Sequence, residues 1–311
     1  MSRNSAKRAR GANGLAPKYQ MPDVLVIGDG IAGSSAALAA RKKGASVMIV
    51  EKSEPNLPHG NTAFCGGALR RVSKEYPAKK YFADIMKVSE GEADPILTRI
   101  TIRNSRVAKA WLSRIGIRWT TPASNPGRAD SVIGKGPVLA SVVRKAVKKA
   151  NIPVLYRTRV LSMKVAADGV IKTTVRNDKR VQEIACKAVI IATGGFQGNR
   201  KMVTEYLGKG AERLVLRGYA GNTGDGHTIA ARLGATLAGM DGYHGGIIHL
   251  GYRRYPKVAA KSGMRSVKRY EKAILVNRNG TRLTRAKTPQ TKHMRSSVGS
   301  SRLRNPAVSL I

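Results

Sequence analysis

Asp23–Lys52 reads DVLVIGDGIAGSSAALAARKKGASVMIVEK, and its order of residue types decides the fold. A continuous apolar run with β-branched residues over 23–27 gives way to glycines. An Ala-rich stretch follows from Ile31 to Lys43, and a second apolar run ends at Glu51. That order is strand, tight turn, helix, strand, a βαβ unit of about thirty residues. The glycines divide the mechanical work. Gly28 permits the turn, Gly30 lets backbone approach a diphosphate, and Gly33 lets helix and strand pack closely. The helix start at Ile31 and Ala32 offers unpaired N–H groups to an anion. Glu51 is placed to accept hydrogen bonds from ribose hydroxyls, with Lys52 beside it. Strand, helix, spacing and acid agree on dinucleotide binding. The alternative is a glycine-rich βα turn in some other doubly wound protein.

Working outward, 311 residues with 42% hydrophobic content and 33 glycines suffice for one large α/β domain and a smaller one. The formal charge of +39 is concentrated partly in the ends. Residues 1–20 carry Arg3, Lys7, Arg8, Arg10 and Lys18 and no carboxylate, and no acid follows Glu271. Residues 1–20 are read as a disordered basic extension, with a targeting segment as the alternative. A basic middle attracts anions, whether a diphosphate, a polycarboxylate or nucleic acid. Scattered basic residues with few aromatics argue against nucleic acid as the partner. Cys65 and Cys186 are far apart with no CxxC, so neither a disulfide framework nor a metal site is indicated. A reducing, cytoplasmic location is expected. No apolar run is long enough to span a bilayer, so no membrane span is expected.

Further along, Lys80–Arg118 and Pro137–Ala150 show helical spacing, the second with a basic outer face. Val154–Val165 and Val170–Val175 read as a hairpin turning at Asp168-Gly169. Ala188–Thr193 is a buried strand expected to rejoin the parallel sheet begun by residues 23–27. His227–Leu237 reads as a helix. AILVNRNGTRL, from Ala273, is shaped like a hairpin around Asn279-Gly280. Beyond Leu283 no period survives.

Four glycine-bearing segments then carry a resemblance. After the βαβ unit comes His59-Gly60-Asn61-Thr62-Ala63-Phe64-Cys65-Gly66-Gly67. The strand at Ala188 ends in Ala192-Thr193-Gly194-Gly195-Phe196, and Asn222-Thr223-Gly224-Asp225-Gly226-His227 opens the last helix. In this order and at these separations the chain resembles the FAD-dependent fumarate reductase and succinate dehydrogenase flavoproteins, and within them the tricarballylate dehydrogenases. The resemblance covers roughly residues 22–282. It implies FAD, held noncovalently, as cofactor. It places Asn61, Thr62, Gly66 and Gly67 in a loop under the isoalloxazine, Thr193 and Gly194 in a turn against the cofactor, and Asp225 on the flavin's polar chain. It puts the backbone of Val160 against adenine. A histidine that carries FAD covalently in the respiratory relatives is replaced by Asn61, and His59, displaced from that place, is expected to be a solvated loop residue.

The resemblance also implies a doubly wound, Rossmann-like α/β FAD-binding domain over 21–240 with a parallel sheet. Into it is inserted an incomplete α+β capping domain, starting at 241–283, followed by an unstructured 284–311. The implied reaction moves a hydride between flavin N5 and a small anionic polycarboxylate, tricarballylate-like or fumarate/succinate-like. An electron acceptor, such as a partner redox protein, completes it. His244 matches a substrate-side catalytic histidine, and His249 is a second candidate. A 3-ketosteroid dehydrogenase relative, or a noncatalytic FAD-binding remnant, are alternatives.

Where the family continues with an acidic segment, this chain reads LTRAKTPQTKHMRSSVG. One set of codons for Thr284–Ser297, shifted by a single base, encodes DEGEDTANETYAKFG, which is the segment the resemblance calls for. Residues from about Thr284 are therefore expected to be an out-of-frame tail of a truncated chain with impaired turnover.

Overall fold

The computed structural model of the chain describes residues 21–122, 127–178, 180–216, 218–242, 275–277 and 308–310. Its contacts divide into two compact units that interleave along the sequence. The first comprises 1–70, 107–199 and 217–237, and the second 71–106, 200–216 and 238–311. The first unit is thus interrupted twice along the sequence.

The first unit is built on β1 (Val24–Ile27), α1 (Ile31–Lys42) and β2 (Val47–Val50). Their bounds lie within a residue or two of those read from the apolar runs. Strand β10 (Ala188–Ile191) pairs parallel with β1 on one side, β2 pairs parallel with β1 on the other, and β6 (Val154–Leu155) extends β2. The order β10-β1-β2-β6 makes β1 the point where the chain turns to opposite sides, so a crevice opens at the strands' carboxyl ends.

Both faces of this sheet are covered, which is why its strands are continuously apolar. Leu25, Ile27, Met48 and Val50 point to one face and pack with Val160, Met163, Val175, Ile184 and Ile229. Val26, Val47 and Ile49 point to the other and pack with Ala37, Val147 and Ile152. The second face is held by α1 and by α5 (Lys135–Lys149). The first is covered mainly by an antiparallel three-stranded sheet, β7 (Thr158–Val165), β8 (Ile171–Asn177) and β9 (Arg180–Cys186), with α7 (Asp225–Arg232). One face of the parallel sheet is therefore layered by helices and the other mainly by a β-meander.

Two sequence readings change in detail. The run Val154–Val165 is two strands in two sheets, parted at Arg157, which takes a left-handed φ of 52°. The hairpin at Asp168-Gly169 forms, but β9 adds a third strand to it. A smaller sheet in the same unit orders β3 (Ala68–Arg70), β5 (Ala129–Val132) and β4 (Trp119–Thr120).

In the second unit, α3 (Ala78–Val88) and the start of α4 (Pro95–Arg114) replace the single helical stretch suggested by spacing. They are separated by Glu90 and Gly91, both with positive φ. Asp94 Oδ1 accepts the N–H groups of Ile96 and Leu97 at 2.7 and 2.9 Å, capping α4 just before a proline suited to its first turn. Tyr76, Tyr81 and Ile102 form this unit's apolar cluster. The helix α6 (Arg200–Leu207) also belongs to it. Leu275–Asn277 pairs antiparallel with Val308–Leu310. Residues 1–20, the turn at Asn279-Gly280 and most of the tail after Thr284 lie outside the described residues. Among the described residues no helix is long and apolar enough to cross a membrane, and no group of His, Cys, Asp and Glu is placed to hold a metal.

Candidate functional site

The carboxyl ends of β1, β2 and β10, the start of α1, the start of α7 and the first residues of β7 surround a cavity of about 270 Å³. Gly28 begins it with φ +106°, and a Cβ there would stand 2.5 Å from the carbonyl oxygen of Ala192, so side chains larger than hydrogen are excluded. A Cβ on Gly33 would run into the Gly28 carbonyl, which fixes the close approach of α1 to β1. Gly30 differs. A Cβ there would meet only Thr62 Oγ1, at 3.6 Å, so its bare face opens into the cavity.

The N-cap residue of α1, Gly30, has no side chain to cap the helix. The Ile31 N–H donates to Thr62 Oγ1 at 2.9 Å, which brings the second glycine segment, folded as the short helix α2 (Gly60–Phe64), against the first. The other first-turn amides are of the kind that attract a diphosphate. Glu51 follows β2 and is 8% exposed; Oε2 accepts the Asp29 N–H and Oε1 the Ser53 N–H, each at 2.9 Å. Its remaining lone pairs are available to hydroxyls. Backbone bonds from Thr158 N to Glu51 O and from Arg157 N to Ser53 O bring β7, and with it Val160, to the same wall.

Of the residues assigned from sequence, Gly28, Gly30, Ile31, Ala32, Glu51, Lys52, Asn61, Thr62, Val160, Thr193, Gly194 and Asp225 line this cavity. Gly33 stands behind it as a packing residue. Gly66 and Gly67 are not among its lining; Gly67 leads into β3, and its carbonyl accepts the Val132 N–H at 2.9 Å. His244 and His249 lie outside the described residues.

Lining residues that were given no role from sequence include Arg159, Tyr219 and Asn222. Arg159 adjoins Val160 and reaches Asp225 Oδ1 at 2.8 Å. Tyr219 donates its N–H to Asn61 Oδ1 at 2.9 Å, and its hydroxyl is 2.6 Å from Ser53 Oγ. Asn222 stands in the same NTGDG stretch that supplied Asp225, which was the available signal. It is buried, and its Nδ2 has no hydrogen-bond partner among the described residues.

Asp225 gathers charge at the cavity rim. Lys52 Nζ lies 2.8 Å from its Oδ2, and Thr223 Oγ1 donates to Oδ1 at 2.9 Å. Burial pushes the Asp225 carboxyl up, but hydrogen bonds from Lys52 and Arg159 outweigh it and hold the group below the ordinary carboxylate range.

His59 departs from expectation. It is 1% exposed, not a solvated loop residue, and its Nδ1 is 2.9 Å from the Leu57 carbonyl oxygen. It lies with Asp29, Ser34, Tyr156 and Arg144 in a buried cluster behind the glycine turn and does not line the cavity. Burial works against ionisation of Asp29, yet the neighbouring His59 ring and hydrogen bonds from Ser34 and Tyr156, with the charge of Arg144, lower its pKa overall. Burial and the neighbouring Asp29 carboxylate raise Tyr156 well above an ordinary phenol, so it stays a hydrogen-bond donor.

These features fit a flavin dinucleotide's ADP half: a helix start with amides beyond the one Thr62 holds, an open face at Gly30, the Glu51 carboxylate and a buried amide donor lacking an acceptor among the described residues. The cavity is near the lower end of the ~300–1,000 Å³ typical of small-molecule sites. It suits that half better than a whole dinucleotide.

Comparison with known proteins agrees. An NADH:fumarate oxidoreductase of Klebsiella pneumoniae (strain 342) is 31% identical over 248 residues, 74% of this chain and 26% of that protein. A fumarate reductase (cytochrome) of Shewanella frigidimarina is 29% identical over 289 residues, 87% of this chain and 48% of that protein. The open conformation of a flavocytochrome c3 fumarate reductase superposes with a TM-score of 0.69 at 24% identity, covering 92% of this chain and 51% of that one, which is a likeness of fold. The chain spans about half, or less, of the length of these curated relatives. The family model described as the FAD binding domain matches residues 23–305, and with the cavity just described the chain belongs to that FAD-binding family.

Proposed function

We propose that this chain is the FAD-binding part of an oxidoreductase that exchanges a hydride with a small polycarboxylate, fumarate/succinate-like or tricarballylate-like. The observation that carries the proposal is the cavity at the carboxyl ends of β1, β2 and β10, which the start of α1, Glu51, Val160 and Asn222 line together. FAD supplies the hydride chemistry in such enzymes. The chain's own residues supply binding: first-turn amides for the diphosphate, Glu51 for the ribose, and Lys52 and Asp225 at the rim. The fumarate reductases among its relatives support a carboxylate substrate, and the excess of basic residues favours an anion.

Within this proposal His244 acts on the substrate side, and an electron acceptor, such as a redox partner protein, completes turnover. Residues from Thr284 onward form an out-of-frame tail. The family match runs on through residue 305, past Thr284, and the nucleotide sequence decides between the two.

Purification tests the central claim. The protein should be yellow, with a flavin band near ~450 nm, and the stripped protein should release heat on titration with FAD. A colourless protein that does not take up FAD sinks the proposal. Fumarate and tricarballylate, assayed with a chain whose frame is restored, separate the two substrate readings.

A further inference from the structure

We propose that Arg144, on α5, is a positioning and charge-balancing residue for the cofactor's diphosphate, offsetting a carboxylate buried inside the glycine turn itself. The inference rests on the FAD reading above and deepens it. Asp29 occupies the turn between Gly28 and Gly30, and its side chain is fully buried. Its Oδ1 accepts the Ser34 hydroxyl at 2.7 Å; its Oδ2 has the Tyr156 hydroxyl at 2.9 Å, Arg144 Nε at 3.3 Å and His59 Nε2 at 3.5 Å. The Asp29 N–H is itself held by a second carboxylate, Glu51.

Two acids therefore stand at the base of a loop built to receive a dianion. A negative charge beside a helix N-terminus uses the same dipole that the diphosphate would use. Ser34 and Tyr156 hydrogen-bond to Asp29 without cancelling its charge. His59 cancels it only when protonated. Lys52 is engaged by Asp225. Arg144 is the one permanently charged group within ion-pair distance of Asp29 among the described residues, and its Nη2 also donates to the His59 carbonyl at 3.1 Å. Its field at Asp29 is only partly screened by salt, because Asp29 is fully buried and Arg144 mostly so.

Charge offset and mere structural support predict different signs. FAD, ADP and adenosine are titrated into wild type, Asp29→Asn, Arg144→Gln, Arg144→Lys and the double variant Asp29→Asn/Arg144→Gln. Arg144→Gln should weaken FAD and ADP about tenfold or more, with adenosine little changed. Arg144→Lys should recover most of the loss. Asp29→Asn should bind FAD and ADP as tightly as wild type or tighter, and adding Arg144→Gln to it should cost little. Loss of affinity in Asp29→Asn comparable to that in Arg144→Gln, or a parallel loss for adenosine, overturns the inference. If Arg144→Gln does not fold by circular dichroism, Asp29→Asn against the double variant decides, and if neither Arg144→Gln protein folds, the sign of the Asp29→Asn effect alone decides. A wild-type chain that binds ADP but not FAD overturns the FAD reading alone; one that binds neither overturns both.

Discussion

Lys52 and Asp225, 173 residues apart in sequence, meet as an ion pair of 2.8 Å at the cavity rim. Arg159 holds the other carboxylate oxygen at 2.8 Å, so the end of β2, the start of β7 and the start of α7 converge on one side chain. Asp225→Asn should cost about 1.5–3 kcal/mol of stability, the range for hydrogen bonds to a charged group. It should also weaken FAD binding, because Lys52 and Arg159 lose the partner that orients them. Urea midpoints with and without FAD read both effects, and an unchanged pair of midpoints would show that the three-way contact is idle.

Acid sensitivity follows from the same carboxylate and from Asp29. Both have pKa values lowered in the folded state, where cationic and hydrogen-bonding partners outweigh burial. A depressed folded pKa means that the contribution is complete above the unfolded carboxylate value and is lost as pH falls through the folded one. The urea midpoint should therefore hold from neutral pH to about pH 5 and decline below it. Asp225→Asn should make the decline shallower. A midpoint that stays level down to about pH 3 contradicts the assignment.

Gly30 and Gly33 belong to one motif but separate stability from binding. A methyl group at Gly33 collides with the Gly28 carbonyl, so Gly33→Ala should destabilise the chain by about 1–3 kcal/mol, as overpacking does. A methyl at Gly30 meets only Thr62 Oγ1 at 3.6 Å, and Gly30 has φ −74°, which alanine adopts freely. Gly30→Ala should keep its melting temperature as apoprotein and lose FAD affinity about tenfold or more, because the diphosphate needs that bare face. Equal effects of the two substitutions on apoprotein stability would remove the distinction.

The parallel sheet was legible because its strands are apolar on both faces and its turn is written in glycines at Gly28, Gly30 and Gly33. Less local features were hidden. Nothing in Tyr156-Arg157-Thr158 marks the break between β6 and β7, since the left-handed residue is Arg157 and not glycine. Strand β9 mixes charged and apolar residues, with Ile184 and Cys186 fully buried and Arg180 and Val181 exposed, so its alternation is weak. At the site, Glu51 could be read from its distance to the glycine turn. Arg144 looked like part of a solvated basic face, and only the fold brings it to Asp29. Burial of His59 had no sequence signature at all.

That burial bears on how the flavin is held. His59 is 1% exposed, directs Nδ1 at the Leu57 carbonyl, and is absent from the cavity lining. Acid precipitation of the yellow protein should leave a colourless pellet and all flavin in the supernatant. Flavin fluorescence retained on the denatured polypeptide would reveal a covalent bond that this geometry does not accommodate.

Asn222 supplies the sharpest separation of cofactor contact from structure. The residue borders the cavity, and its Nδ2 is buried and finds no acceptor among the described residues. A buried donor without a partner destabilises the empty protein, by about 1–3 kcal/mol when fully desolvated. Replacing it with an apolar group of similar size should therefore leave the apoprotein no less stable. Asn222→Leu should hold or raise the apoprotein's urea midpoint while weakening FAD, since the cofactor loses the hydrogen bond that the amide is positioned to give. A variant that loses apoprotein stability and keeps FAD affinity would mean that Asn222 serves the turn around Gly194, against which its amide packs, and not the ligand.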